Sequence, residues 1–373
     1  TTAVEWREHR INIVDTPGHA DFGGEVERVL SMVDSVLLLV CAVEGPMPQT
    51  RFVTQKAFAA GLRPIVVINK IDRDGARPDW VLDQTFDLFD RLGATEDQLD
   101  FPTIYSSAVG GYSSHDPEAR SGNMDPLLDT ILARVPPPAV DGNGTFQMQI
   151  SSLDYSPYVG AIGIGRVQRG SVGTNTPVSL IDRDGKKRNV RVLQVMRSHG
   201  LERVQVDHAG AGDIVAINGI DGIRISDTLC DPKVVEALPN LSVDEPTVSM
   251  TFHVNDSPFA GRVGKYVTSR QIRERLDREL IHNVALRVED TDNPDKFLVS
   301  GRGELHLGIL IETMRREGYE IAISRPQVIE RIINGVTSEP YEQLTVDVEE
   351  SSQGGVMEML GERRGDLQDM IPD

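Results

Sequence analysis

Residues 11–22 read INIVDTPGHADF, in which an apolar run at 11–14 leads directly into a polar loop. Three further apolar runs follow, and stretches with apolar residues at three-to-four spacing lie between them. The runs are residues 36–43, 64–68 and 103–105, and the helical stretches are residues 25–33, 49–60 and 80–92. The run at 36–43, VLLLVCAV, is apolar throughout, as expected of a central strand covered on both faces. This alternation predicts an open, mostly parallel sheet with helices on both sides.

The pattern changes twice farther along the chain. From residue 146 to about 230 the apolar period becomes two and glycine-containing turns recur, which predicts a small closed β-barrel. After residue 245 the order strand–helix–strand–strand–helix–strand predicts a ferredoxin-like split βαβ module. A strand at 341–349 and a helix at 357–368 then begin a further α+β module. We therefore expect a multidomain protein, with domains at residues 1–138, 144–236, 244–332 and 338–373.

The composition disfavours several classes of protein. A formal net charge of −19 argues by composition alone against a protein that binds nucleic acid, DNA included, although local patches can differ from the total. No apolar run reaches the roughly eighteen residues that a membrane-spanning helix needs, so we expect no membrane association. Cys41 and Cys230 lie far apart in apolar stretches, which is typical of small buried residues in a reducing cytosol.

The polar loop after the first run carries one candidate site, DTPGH at residues 15–19. Asp15 follows the strand directly, where a carboxylate can hold Mg²⁺, usually through water. Gly18 has no side chain, so its amide can approach a terminal phosphate closely. The imidazole of His19 can orient an attacking water. The alternative is a plain β-turn, because Asp, Pro and Gly are ordinary turn residues.

A second candidate site is the motif NKID, which begins at Asn69 after the strand at 64–68. The carboxylate of Asp72 can accept two hydrogen bonds from guanine, through N1–H and the exocyclic amine, whereas adenine offers no such pair of donors. The stem of Lys70 can lie along the base plane, and the Asn69 side chain can tie neighbouring loops together. NKID by itself also fits a polar loop at a strand end, but together with DTPGH it predicts guanine binding. Ser107 and Ala108 end the next strand, where backbone amides can contact the base oxygen.

These motifs resemble those of the BipA/TypA branch of the translational GTPases, relatives of elongation factor G. The resemblance covers essentially all of the chain. The superfamily motifs are DTPGHADF (residues 15–22), NKID (69–72) and SGRGELHL (300–307). The branch motifs are GGEVERV (23–29), GPMPQTRFV (45–53), GARPDW (75–80) and SVDEPTVSM (242–250). Asp74 departs from the family, which usually has proline there, and we expect no consequence.

The resemblance implies an α/β P-loop-type GTPase domain, a translation-factor β-barrel and a ferredoxin-like α+β domain. It implies GTP and GDP with Mg²⁺ as ligands, the ribosome as partner, and a cytoplasmic monomer that regulates translation or ribosome assembly. The implied nucleotide site comprises Asp15 with the metal, Thr16, Pro17, Gly18 at the γ-phosphate, His19 at the hydrolytic water, Asn69, Lys70 and Asp72 at guanine, and Ser107 and Ala108 in the base pocket. Hydrolysis is expected to stay slow until the ribosome orders the DTPGH loop.

One family motif is missing from these residues. A P-loop needs G-x-x-x-x-G-K-[S/T], and neither of the two Gly-Lys pairs, at Gly185 and Gly264, fits that pattern. The family places the P-loop upstream of Thr1 and a further domain beyond Asp373, so we expect the chain to be truncated at both ends. Phosphate contacts dominate nucleotide affinity, and we therefore expect feeble GTP binding and no turnover by this chain alone. The alternatives are a non-enzymatic ribosome-binding module and a translocase like elongation factor G, which the branch motifs disfavour.

Two stretches of the chain are rich in Lys and Arg although the net charge of the whole chain is negative. The first contains Arg183, Lys186, Lys187, Arg188, Arg191, Arg197 and Arg203, and the second contains Arg262, Lys265, Arg270, Arg273, Arg275 and Arg278. From the second we select Arg262, Lys265, Arg270 and Arg273 as candidates for contact with ribosomal RNA phosphates. The alternative is an ordinary solvated surface.

For SGRGELHL we favour a structural interpretation. Ser300 and Gly303 would start a helix, and the apolar residues that follow would face a core. Those residues are Leu305, Leu307, Ile309 and Leu310.

Overall fold

The computed structural model describes residues 1–17, 22–156, 158–241, 245–283, 285–333, 335–344, 346 and 348–370, the side chains of 281 and 282 excepted. Thr1–Pro340 form one compact unit and Tyr341–Asp373 form a second. The first unit contains an α/β part, an antiparallel β part and an α+β part, in that order along the chain. The predicted multidomain fold class is therefore confirmed, whereas the residue limits of the domains remain predictions.

The α/β part alternates strands and helices. Its strands are β1 (Thr2–Trp6), β2 (His9–Ile13), β3 (Ser35–Cys41), β4 (Arg63–Asn69), β5 (Thr103–Ser107) and β6 (Tyr112–Ser114). Its helices are α1 (Gly23–Leu30), α2 (Pro48–Ala59), α3 (Pro78–Arg91), α4 (Glu96–Leu99) and α5 (Asp125–Arg134). Strands β3, β4 and β5 are parallel neighbours, and β6 joins β5 in the antiparallel sense. The predicted strands at 36–43, 64–68 and 103–105 thus form one sheet.

Strand β4 separates two cores because its side chains alternate between the two faces of the sheet. Val66 and Ile68 pack with helix α3, whereas Ile65 and Val67 pack with helix α5. All four side chains are buried. The expectation of helices on both sides of the sheet is confirmed.

The predicted strand at 11–14 forms, but the prediction that it lies in the parallel sheet is wrong. As β2 it pairs antiparallel with β1, and no ladder joins it to β3 in the part of the chain that the structure describes. The connecting residues Arg7 and Glu8 have φ values of 43° and 65°, the left-handed pair of a type I′ hairpin turn. Because Arg and Glu seldom adopt these angles, the sequence carries no turn signal there, and β1 is not predicted from it.

The β part is an antiparallel sheet that curves around a single core. Its strands are β7 (Gln147–Gln149), β8 (Ser152–Ser156), β9 (Gly160–Arg169), β10 (Ser171–Gly173), β11 (Thr176–Ile181), β12 (Lys187–Val192), β13 (Gln194–His199), β14 (Glu202–Val206), β15 (His208–Gly210), β16 (Ile214–Asn218) and β17 (Thr228–Cys230). Nine of them form one sheet, and β10 pairs with β15. Gly165 of β9 lies against β7, where an added Cβ would come within 1.9 Å of the Gln149 carbonyl oxygen. Strands β7 and β9 can therefore approach this closely only because position 165 is a glycine.

The α+β part has the order of a split βαβ fold. Its elements are β18 (Val248–Val254), α6 (Ser269–His282), β19 (Arg287–Asp290), β20 (Lys296–Gly301), α7 (Glu304–Glu317), β21 (Ile321–Ile323) and β22 (Gln327–Val328). The strands lie in the order β19-β20-β18-β21, all antiparallel, as the ferredoxin-like prediction requires. Thr268 caps α6 reciprocally with Gln271, and α7 ends at Gly318 with a φ of 94°.

The last part of the chain differs from its prediction. A hairpin of β23 (Arg331–Ile333) and β24 (Val336–Ser338) precedes helix α8 (Glu350–Glu362). The described residues of 341–349 form no strand, and the helix lies about seven residues before the predicted 357–368. Both elements were predicted from local periodicity, but a strand is stable only when a neighbouring strand completes its hydrogen bonds.

Helix α1 connects the α/β part to the barrel. Val29 and Met32 share an apolar cluster with Ile162, Ile164 and Ile214, together with Val14 and residues of the same strands. Beside this cluster the guanidinium of Arg166, itself buried, lies 2.9 Å from the Asp34 carboxylate. An apolar contact and an adjacent ion pair thus fix the segment between β2 and β3 against the barrel.

No helix within the described ranges is both long enough and apolar enough to cross a membrane.

Asp227 is a buried carboxyl group of the barrel with only half of its hydrogen bonds made. Its side chain is 1% exposed, and one oxygen accepts the Arg224 amide at 2.8 Å. The other oxygen has no hydrogen-bond partner among the described residues. Burial raises the pKa of Asp227 to about 6, because the charged form is poorly solvated there.

We predict that Asp227 makes the stability of the barrel depend on pH. The folded pKa lies above the value of 3.8 for the unfolded chain, so the folded state binds more protons between the two values and loses stability as the pH rises through them. An Asp227→Asn variant lacks this ionisation. The free energy of unfolding of the variant minus that of the wild type should therefore increase by about 2 kcal/mol between pH 4.5 and pH 7.5. Denaturant unfolding at both pH values measures it, and a constant difference would contradict a raised pKa.

Candidate functional site

The motif NKID and the residues at 106–108 meet at one edge of the parallel sheet. Asn69 ends β4, and in the ladder it lies opposite Ser106 of β5. Both motifs follow the carboxyl ends of parallel strands, so the loops they begin lie side by side. The sequence predicted this placement from strand positions alone.

The side chain of Asn69 joins the two loops. Its Oδ1 accepts hydrogen bonds from the Lys70 amide at 2.8 Å, the Ala108 amide at 3.0 Å and the Ser106 hydroxyl at 3.2 Å. Lys70 has a φ of 69°, which is an uncommon left-handed value for a residue with a side chain. One amide oxygen therefore holds a strained backbone and a neighbouring loop together, as predicted.

Asp72 presents its carboxylate to solvent beside this junction. The Ser107 side chain hydrogen-bonds to it and, together with the backbone amide of Asp72 itself, lowers the pKa of the carboxyl group. Ser107 is 1% exposed, and its hydroxyl also accepts the Gly110 amide at 3.0 Å. A carboxylate held ionised and oriented in this way can accept two parallel hydrogen bonds from a planar ligand.

The DTPGH loop is described only in part. Asp15 follows β2 and is exposed, and Thr16 and Pro17 are half-buried. Gly18 and His19 lie outside the described residues. Their predicted roles therefore remain predictions.

Asp15 suits the magnesium site that the resemblance implies. Mg²⁺ is usually bound by one or two carboxylates, with water and substrate phosphates as the remaining ligands. No group of three or more His, Cys, Asp or Glu side chains arranged for a metal occurs in the described ranges. A single exposed carboxylate fits the first pattern and would need phosphate to complete it.

The loop that begins at Asp15 ends at Phe22, which contacts the motif SGRGELHL. The rings of Phe22 and His306 pack edge to face, with centroids 5.8 Å apart. The Nδ1 atom of His306 accepts the Arg302 amide at 3.1 Å, and Nε2 lies 2.9 Å from Oδ1 of Asn283. Because Nδ1 accepts, the ring donates through Nε2. The imidazole is thus held rigidly against the α/β part.

The structural interpretation of SGRGELHL is correct only in part. Helix α7 begins at Glu304 with Gly303 as its N-cap, but Ser300 belongs to strand β20. Leu307 and Leu310 are buried, whereas Leu305 and Ile309 are exposed. Sequence reasoning missed His306, although a polar residue among apolar core positions was the signal for it.

The four candidate RNA-binding residues differ in their surroundings. Arg273 bonds to both Asp277 and Asp290, and Arg270 pairs with Glu274 at 3.2 Å. No carboxylate of the described chain lies within ion-pair distance of Arg262 or Lys265. Arg273 is therefore the weakest candidate, because its charge is already neutralised.

Family comparisons place the α/β and β parts among translation factors. Residues 1–137 match the elongation factor Tu GTP binding domain, and residues 160–230 match elongation factor Tu domain 2. Over 372 residues the chain is 65% identical to the large ribosomal subunit assembly factor BipA of Haemophilus influenzae. Identity to the protein of that name is 64% in Escherichia coli K12 and 59% in Buchnera aphidicola. All of this chain is covered in each case, and it spans 60–61% of the length of these relatives.

A solved structure shares the fold at low identity. A crystal structure from Thermus thermophilus superposes with a TM-score of 0.63 at 20% identity. The match covers 88% of this chain and 59% of that one. At this identity the likeness concerns the fold alone.

We predict that Asn69→Ala destabilises the strand-end junction. Three donors lose their shared acceptor, which costs on the order of 1–3 kcal/mol. The free energy of unfolding should fall by that amount, and hydrogen exchange at the Lys70 and Ala108 amides should accelerate. Asn123→Ala is the matched control, because among the described residues its exposed side chain accepts one hydrogen bond, from the Asp125 amide. Equal losses for the two variants would contradict the proposed junction.

Proposed function

We infer a function from the premise that this chain belongs to the BipA/TypA family of translational GTPases. We propose that the protein hydrolyses GTP to GDP and phosphate on the ribosome, and thereby regulates translation or the assembly of the large subunit. The assembly part of the proposal follows the names of the relatives, and the GTP part follows the match of residues 1–137 to the elongation factor Tu GTP binding domain. A cytoplasmic monomer is part of the same proposal.

The observation that carries the proposal is the Asn69 junction with the ionised Asp72 beside it. An ionised carboxylate accepts both N1–H and the exocyclic amine of guanine, whereas adenine presents an acceptor at N1. Ser107 orients the carboxylate, and the Ala108 amide lies at the same strand end. Lys70, whose backbone φ is left-handed, lies beside them. This arrangement supports selective binding of a guanine nucleotide.

The hydrolytic half of the proposal rests on the DTPGH loop. Asp15 would hold Mg²⁺ through water, and that ion would supply positive charge next to the phosphates. Thr16 and Pro17 would line the phosphate side of the site, and the Gly18 amide would donate to the γ-phosphate. The imidazole of His19 would orient the attacking water. The contact between Phe22 and His306 supports a loop whose position the α+β part influences.

A non-enzymatic ribosome-binding module is the second candidate. The motif G-x-x-x-x-G-K-[S/T] does not occur in these 373 residues, and without it a nucleotide loses its main phosphate contacts. We therefore propose that these residues alone bind GTP weakly. In both candidates, Arg262 and Lys265 are better placed than Arg270 or Arg273 to contact ribosomal RNA.

Ribosome-stimulated turnover tests the proposal. The protein used should carry these residues behind the P-loop segment of the family, and phosphate release from GTP is measured with and without 70S ribosomes. We expect strong stimulation that His19→Ala reduces by about 100-fold or more, because positioning of the water is lost. The control is nucleotide affinity, which His19→Ala should leave unchanged. Ribosome binding without any turnover would favour the binding module instead.

We predict that Asp72→Asn changes the base selectivity of the site from guanine to xanthine. An asparagine side chain can accept a hydrogen bond from N1–H of xanthine and donate one to its 2-oxo group. In guanine the 2-position carries an amine, so two donors would face each other and no hydrogen bond forms there. Affinity for GDP should fall by about 100-fold or more and affinity for XDP should rise. Fluorescent-nucleotide competition measures both. Asp74→Asn, an exposed carboxylate two residues away, is the control and should change neither affinity.

A further inference from the structure

The loop at residues 255–264, between β18 and α6, is ordered by one carboxylate. Glu320 accepts the backbone amides of Gly261, Val263 and Gly264, at 3.2, 3.4 and 2.9 Å, and the side-chain amide of Asn255. These hydrogen bonds, the Gly264 amide first, lower the pKa of Glu320, so the acceptor stays charged. The loop therefore has a fixed backbone without a hydrophobic core of its own.

Two glycines make this arrangement possible. Gly261 has a φ of 80°, a left-handed conformation that residues with side chains rarely adopt. At Gly264 an added Cβ would lie 2.6 Å from the Glu320 Cβ and 2.9 Å from its backbone nitrogen. The carboxylate can reach the loop amides only because position 264 has no side chain.

The tip of this ordered loop exposes apolar and cationic side chains. Phe259 is 62% exposed and Val263 is 93% exposed. The guanidinium of Arg262 lies 4.8 Å from the centroid of the Phe259 ring. Lys265 follows at the base of the loop and is also exposed. A fixed backbone with exposed aromatic side chains is typical of a preorganised binding element, because little entropy is lost when it binds.

The loop carries charges of both signs, because Asp256 is an exposed acidic residue in it, Arg262 is its basic residue and Lys265 follows it directly. The whole chain carries −19, yet the described residues provide no carboxylate partner for Arg262 or Lys265. The loop leads into the amino terminus of α6, which adds partial positive charge at the same end of the module. Because the Glu320 carboxylate is engaged by the loop amides, the exposed cations Arg262 and Lys265 are the groups at this end of the module that can contact a phosphate.

We propose that the loop at 255–264 is a finger that binds an unpaired base of ribosomal RNA. The base stacks on the Phe259 ring beside Arg262, and the Lys265 ammonium contacts its phosphate. An aromatic ring, a guanidinium plane and a lysine are the side chains that bind single-stranded RNA, whereas lysine is depleted at protein interfaces. The inference rests on the proposed ribosomal partner and names the part of the α+β module that meets it.

Substitutions at Phe259 separate base stacking from contact with a ribosomal protein. Affinity for 70S ribosomes is measured by pelleting for wild type, Phe259→Trp, Phe259→Leu and Phe259→Ala. Stacking on a base requires a ring, so Phe259→Trp should bind as the wild type does, and both other variants should lose about 10-fold or more. Tyr158→Ala, which removes a 94% exposed ring of the barrel, should have no effect. Thermal unfolding should be unchanged in all four variants.

Chemical footprinting of ribosomal RNA provides the second measurement. Wild type should protect a small number of unpaired bases from dimethyl sulfate, and Phe259→Ala should lose that protection. If Phe259→Leu binds as well as the wild type while Phe259→Ala binds more weakly, the finger contacts a ribosomal protein and the proposal is wrong. The proposal is also wrong if Phe259→Ala protects the same bases as the wild type. If the wild type binds ribosomes and none of the variants binds more weakly, the proposal for the finger is wrong but the proposed ribosomal function is not. Failure of the wild type to bind overturns the ribosomal function as well.

Glu320→Gln tests the role of the carboxylate as a positioning residue. The neutral side chain should speed hydrogen exchange at the amides of residues 261, 263 and 264 and weaken ribosome binding, although Phe259 is intact. Slower or unchanged exchange would show that the carboxylate does not order the loop.

Discussion

The packing of helix α1 on the barrel constrains the arrangement of the α/β and β parts. Val29 and Met32 lie in one apolar cluster with Ile162 and Ile164, and Arg166 pairs with Asp34 beside them. A buried ion pair contributes little net stability, but breaking it would leave an uncompensated charge, so it restricts how the parts can be arranged. The segment between β2 and β3 is therefore held by the barrel as well as by its own sheet.

A chain of polar contacts continues from this segment into the α+β part. Phe22 packs on His306, which bonds to Asn283, and Asn283 bonds in turn to Glu279. Arg275 links Glu279 to Glu317 at the end of α7. Residues 275, 279 and 283 are spaced by four, so they follow one face along α6. Because each polar atom of such a network needs its partner, the network specifies one orientation of the helix.

The two binding elements proposed for this protein share one physical device. In each, the oxygens of a single side chain accept several backbone amides of a loop, Asn69 at the strand-end junction and Glu320 at the loop of 255–264. These hydrogen bonds hold the backbone of each loop while its recognition groups stay exposed, although the NKID loop also buries Ile71. Asp72 and Phe259 are those groups. Preorganisation of this kind lowers the entropic cost of binding.

Local sequence was sufficient for the strands β3, β4 and β5, for the order of elements in the α+β part and for the strand-end motifs, but not for β1 or for residues 341–349. An apolar run and the polar residues directly after it belong to the same few positions, so the placement of Asn69 beside Ser106 follows from two parallel strands. The Thr268 cap and the glycine end of α7 are equally local. These features depend on periodicity and on intrinsic backbone preferences, which a single chain segment carries.

Tertiary structure alone decided the rest. The hairpin partner of β2, the contact of Phe22 with His306 and the ion pair of Arg273 with Asp290 join residues that no local pattern pairs. Glu320 reaches Gly264 across 56 residues, and its role depends on where β21 lies relative to β18. Local pattern determines which element forms and which of its faces is apolar. Which charged and aromatic groups then meet depends on how whole elements pack, and that is a property of the folded chain.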